Sequence, residues 1–168
     1  MGFLKEKYLN KKREGKTKMT SLYYDDFHIG DEFVSATRTV TETDVILFAS
    51  LTGDNNLIHV DEEYAKKSIF GTRIAHGLLG MSLGMGLFQR LGIIVESGIA
   101  YLRAQNCEFL NAIKIGDTIH SKATVIDKRM TKKPDRGIFT FRLSIFNQKG
   151  EECQRSEHMI MVMKKMDS

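Results

Sequence analysis

Between His76 and Leu91 the chain runs H-G-L-L-G-M-S-L-G-M-G-L-F-Q-R-L, a helix-length stretch with glycine at 77, 80, 84 and 86. Glycine costs about 1 kcal/mol at each interior helix position, so four of them need a compensating reason. Gly77, Gly80 and Gly84 fall at i, i+3 and i+7, which lines them up as a smooth stripe on one face. The remaining residues are apolar almost all round, the mark of a buried helix. The stretch therefore predicts a helix inside the fold, with something flat pressed against its glycine stripe.

The flanks say what that surface is. Four strand-like segments follow, at 99–110, 117–130, 137–147 and 151–164, joined by short turns carrying Gly116-Asp117, Pro134-Asp135 and Lys149-Gly150. Long strands with short connections pair antiparallel. Upstream, 32–40 reads as a first strand. Thr41 with Asp44 three residues later forms a capping box, and Val45, Ile46, Phe48 and Leu51 suit a helix of about three turns. Gly53 is placed to stop that helix in the left-handed region. The stretch 54–60 reads as a loop, and a short helix is expected over 61–67. One strand, helices, then four long strands describe an α+β domain, a long antiparallel sheet wrapped around a buried central helix.

Charge and cysteine bound the rest. Residues 1–19 hold seven basic side chains against Glu6 and Glu14, so the net charge of +4 comes from this segment and the other 149 residues sum to −1. The segment is expected to be a solvated, frayed extension, with the folded domain spanning 20–168. Neither a nucleic-acid nor a membrane partner is expected, since no apolar run reaches the roughly 18 residues of a span. Cys107 and Cys153 are the two thiols and form no C-x-x-C pair, which points to a reducing, cytoplasmic setting and away from a cysteine-rich metal site.

Chemistry concentrates in Thr52–His59, T-G-D-N-N-L-I-H. On a continuous helix Asp54 and His59 would sit about 140° apart; a tight loop after Gly53 is what it would take to bring them together. A carboxylate and an imidazole converging on one water can move a proton either way near neutral pH. A second feature is Ile74-Ala75-His76-Gly77 at the start of the glycine helix. The first N–H groups of a helix lack internal partners and favour negative charge, so a developing enolate oxygen would be stabilised there.

The run F-A-S-L-T-G-D-N-N-L-I-H from Phe48 to His59 resembles the hydratase motif of the MaoC-like, (R)-specific enoyl-CoA hydratases. Asp61, Tyr64 and Ala65, then Phe70-Gly71, then Ile74-Ala75-His76-Gly77-Leu78-Leu79 are similar to that family's pattern in order. Phe109-x-x-x-Ile113-x-x-Gly116-Asp117 resembles its later strand signature, so the resemblance spans about 23–164. It implies a hot-dog fold paired as a homodimer. It implies addition of water to a trans-2-enoyl thioester of coenzyme A or acyl carrier protein, giving the (R)-3-hydroxyacyl thioester, or the reverse dehydration. Asp54 and His59 would be the acid/base pair, either one activating the water, and Gly77 N–H would bind the thioester oxygen. Asn56, His76 and Phe70 would lie about the substrate, Asn56 orienting the loop and His76 serving the helix start rather than acting as a second base. No metal and no cofactor beyond the thioester substrate are implied. Leu57 and Ala112 stand where the family tends to carry proline. A hot-dog thioesterase and a non-catalytic acyl-thioester-binding module are the rival readings.

Other candidates have plainer explanations. His28, His120 and His158 are read as solvent-exposed, and the methionines as filling the core around the helix. Arg103, on one strand face with Tyr101 and Gln105, is read as a surface charge rather than a phosphate contact.

Overall fold

The computed structural model describes residues 21–165; the basic segment 1–19 lies outside them. Strands β1 (Glu32–Val34) and β2 (Arg38–Thr39) precede helix α1 (Glu42–Thr52), the one-turn helices α2 (Leu57–Val60) and α3 (Glu62–Ala65), and the glycine helix α4 (Gly77–Gln89). The long strands β3 (Gly98–Phe109), β4 (Thr118–Met130), β5 (Arg136–Phe146) and β6 (Glu152–Met163) close the chain. Their ends fall within one residue of the positions expected from turn chemistry and alternation.

The sheet is antiparallel throughout, in the order β1-β4-β5-β6-β3, with β2 also pairing β4. The expected single strand over 32–40 is thus two short pieces. Both lie along β4, Phe33 opposite Ala123 and Arg38 opposite Ile119. Alternation in β4 and β6 buries one face, and α4 lies across that face. Phe88 of α4 stacks on Phe141 of β5 at 4.5 Å, and Phe27 stacks on Phe139 at 4.2 Å. Leu79 and Leu87 join Val45 of α1, Ile113, Ile119 and Ile145 in a second cluster.

The glycine stripe is explained by what it touches. A Cβ on Gly77 would stand 2.8 Å from the Phe109 ring, one on Gly80 2.5 Å from the Gln154 amide, and one on Gly84 2.3 Å from Ile145 Cδ1. The helix rests on the sheet at distances that only hydrogen at Cα permits. Two expectations need correction. Leu78, Ser82, Gly86 and Gln89 lie along an open side of α4, so the helix is not enclosed all round. The methionines sit at the margin of the core rather than within it: Met85 packs half-buried against it, but no described methionine is fully buried, the space beneath α4 being filled by Ile, Val, Leu and Phe.

Among the described residues β3 pairs only with β6, and it is exposed along most of its length, with Ile99, Tyr101 and Leu102 among its apolar residues. Three register shifts interrupt its pairing, and Asn106 near the last takes φ 51°. Among the described residues no helix is long and apolar enough to cross a membrane.

Candidate active site

The loop that carries Asp54 is fastened at both ends by local chemistry. Thr41 and Asp44 cap α1 reciprocally, and Arg38 pairs with Asp44. Gly53, at φ 78°, ends α1 and turns the chain back, its N–H on the Ala49 carbonyl. Asp54 follows, with its Oδ1 accepting from Asn56 N–H at 3.3 Å. Asn56 then caps α2, its Oδ1 accepting from Ile58 N–H at 3.2 Å. The expected plain loop over 54–60 therefore contains a helical turn. That turn aims His59, 9% exposed, inward beside Asp54.

His59 Nδ1 lies 2.8 Å from the Ile74 carbonyl oxygen. A carbonyl only accepts, so Nδ1 carries the hydrogen and Nε2 presents a bare lone pair. His76, 2% exposed, donates from Nε2 to the Asp54 carbonyl at 3.0 Å. Its ring stacks on His59 at 3.8 Å and meets Phe48 at 5.0 Å. His76 thus joins the Asp54 loop to the start of α4. Its bond and the Asn56 cap restrain a loop in which Leu57 supplies no proline.

One carboxylate oxygen of Asp54 and one ring nitrogen each of His59 and His76 lie within 4.8 Å of one another. Two imidazoles and a carboxylate are donors that zinc accepts. The two rings stack at 3.8 Å with 30° between their planes.

The trio opens on a cavity of about 680 Å³ whose wall includes Phe48, Phe70, Gly77, Phe109, Ile113 and Gln154. The segment after β3 fixes this wall, with Ala75 N–H donating to the Ile113 carbonyl at 2.8 Å. Asp54, His59, His76, Gly77 and Phe70 all reach the cavity; Asn56 stays in the loop as a cap. Arg103 lies on β3, 3.4 Å from Gln105 Oε1 and outside the cavity wall.

Gln154 escaped the sequence reading. It sits on β6, 6% exposed, and its Nε2 donates to the Gly77 carbonyl at 3.1 Å, while Oε1 has no partner among the described residues. A buried acceptor left unpaired costs about 1–3 kcal/mol. The available signal was period two: Gln154, Ser156 and His158 continue the inward face that Ile160 and Val162 define.

His158 itself corrects an expectation of exposure. It is 1% exposed, with Tyr101 OH 2.6 Å from Nδ1 and Ser156 Oγ 2.7 Å from Nε2, and it stacks on Phe141 at 5.3 Å. Burial pushes its pKa down to about 4. His28 is exposed, and His120 is half-buried against Phe146.

Comparison with known proteins gives this geometry a lineage. Residues 26–143 match the family model described as MaoC like domain. The chain is 39% identical over 114 residues to Protein MaoC of Klebsiella aerogenes, covering 68% of this chain and 33% of that protein. It therefore spans about one third of that relative's length. It is 34% identical over 120 residues to the (R)-specific enoyl-CoA hydratase of Rhodospirillum rubrum, covering 71% of this chain and 78% of the relative. Among solved structures, a MaoC-like dehydratase from Rhodospirillum rubrum superposes with TM-score 0.74 at 30% identity, covering 88% of this chain and all of the other. A long sheet wrapped around a glycine-striped helix is the hot-dog fold. With that fold, the Asp54–His59 loop and most of its length matched, the chain belongs to the MaoC-like dehydratase family.

Proposed function

We propose that the protein interconverts trans-2-enoyl and (R)-3-hydroxyacyl thioesters by adding or removing water. The observation that carries this reading is the closeness of the Asp54 carboxylate and the His59 imidazole, whose Nδ1 is held by the Ile74 carbonyl, on the wall of a largely apolar cavity that also includes Gly77. Two acceptors side by side suit one water. Each accepts a hydrogen bond from it, and an oxygen lone pair is left for C3 of the enoyl group. As that C–O bond forms, the water's proton passes to the pair, and the C2–C3 π electrons move toward the thioester oxygen. Gly77 N–H, at the open end of α4, stabilises the resulting enolate. The pair then returns a proton to C2, so atoms and charge balance without an external acid. Dehydration is the same path reversed.

Phe70 and Phe109 supply apolar surface for the acyl thioester, carried by coenzyme A or an acyl carrier protein. The reading uses no metal and no redox cofactor, and it places the enzyme in the cytoplasm, in keeping with the free thiols of Cys107 and Cys153. It includes a homodimer joined along β3, whose unpaired edge and apolar side chains favour a second copy. The names of the Rhodospirillum rubrum relatives support the assigned chemistry.

The test is crotonyl-CoA with the purified protein. The expected product is (R)-3-hydroxybutyryl-CoA, identified by chiral chromatography, with the protein sedimenting as a dimer. Release of free coenzyme A in place of the hydroxy product would mark a thioesterase, and no turnover with tight thioester binding would mark a binding module.

A further inference from the structure

We propose that Gln154 is a positioning residue for the oxyanion-binding turn of α4. The inference rests on the hydratase reading and extends it to a side chain outside the Asp54–His59 loop. Three observations converge. Gln154 Nε2 donates to the Gly77 carbonyl from β6, 77 residues away in sequence. Gly80 makes room for this amide, since a Cβ there would stand 2.5 Å from Nε2 and 2.8 Å from Oε1. Finally, Oε1 is buried with no protein donor among the described residues, in a side chain that forms part of the cavity wall.

A leucine or methionine would fill the same space without burying an unpaired acceptor. The amide is therefore not accounted for by packing, and its one protein bond goes to the first residue of α4. The Gly77 carbonyl belongs to the same peptide group as Leu78 N–H, which with Gly77 N–H is among the helix's unpaired first donors. Donation to that carbonyl holds the Gly77–Leu78 peptide plane and polarises the Leu78 N–H, the donor next to Gly77 N–H in the same turn. Gln154 thus anchors to the sheet the turn where enolate charge would collect.

The test compares Gln154→Met and Gln154→Glu with the wild type on crotonyl-CoA. Methionine keeps the length and removes the donor. Its kcat is expected to fall at least about tenfold, short of the roughly 10²–10³ lost when an oxyanion donor is removed outright, with KM within about twofold and the melting temperature unchanged or raised. Glutamate matches glutamine in shape but donates to the Gly77 carbonyl only when protonated. Its activity relative to wild type is expected to rise as pH is lowered from about 8 to about 5.5, since burial raises a carboxyl pKa. A Gln154→Met enzyme with wild-type kcat, or a kcat loss matched by lost thermal stability with a pH-independent Gln154→Glu ratio, would overturn the assignment while leaving the hydratase reading intact. A wild type unable to hydrate any enoyl thioester would overturn the hydratase reading and this assignment with it.

Discussion

At the scale of single residues, three buried imidazole or amide groups show how hydrogen bonds decide what a side chain can do. His59 gives its Nδ1 hydrogen to Ile74 and keeps Nε2 for chemistry, whereas His76 gives its Nε2 hydrogen to the Asp54 carbonyl and works as a joint. His158 has both nitrogens engaged and is shut off from solvent. Its pKa is held near 4 in the fold against about 6.5 in an unfolded chain, so below about pH 6.5 the unfolded chain binds the extra proton. Stability from this group is whole above about pH 6.5, falls as pH drops, and levels off below about pH 4. In urea unfolding the wild type should lose roughly 2–3 kcal/mol more than His158→Gln between about pH 7 and pH 4; parallel curves would contradict the buried neutral imidazole. Asp54 and His59 stood out in the sequence because they lie five positions apart beyond Gly53, in a run that resembles the hydratase motif. Gln154 and His158 were not, because a polar side chain on a strand reads as exposed until its cross-strand neighbours are known.

At the scale of elements, α4 was the most legible part of the chain. Its glycines spoke of close packing, and the structure supplies Phe109, Gln154 and Ile145 as the reasons. Gly86, read with the others, differs: nothing lies within 4 Å of the place its Cβ would take. The two positions therefore respond oppositely to the same change. Gly84→Ala should destabilise the protein by roughly 1–3 kcal/mol, because Ile145 is buried and has nowhere to move. Gly86→Ala should stabilise it by roughly 0.5–1 kcal/mol through helix propensity. Chemical denaturation of both variants checks this, and a shared sign would show that the stripe does not rest on the sheet as described. The first strand and α2 were less legible for a physical reason. The break between β1 and β2 depends on how both lie along β4, and a four-residue helix is too short for periodicity to register.

At the scale of the whole molecule, the sheet is a platform that brings distant segments to one cavity. β6 presents Gln154 from beneath, the end of β3 presents Phe109, and the loop after α1 presents Asp54 from above Gly77. The α+β architecture followed from element order and turn chemistry, since long strands with short turns leave few ways to cover one apolar helix. The open side of α4 and the bare edge of β3 did not follow, because a lone sequence does not distinguish a face turned to a core from one left for a second copy. In the proposed reaction Asp54 and His59 together handle the water. The direct measurement is the rate of enoyl absorbance loss with crotonyl-CoA for the wild type, Asp54→Asn and His59→Ala, each shown folded by its melting transition. Each variant is expected to lose at least about 10²-fold in kcat, in line with removal of a general acid or base. Folded variants that both hydrate crotonyl-CoA at the wild-type rate would contradict that role.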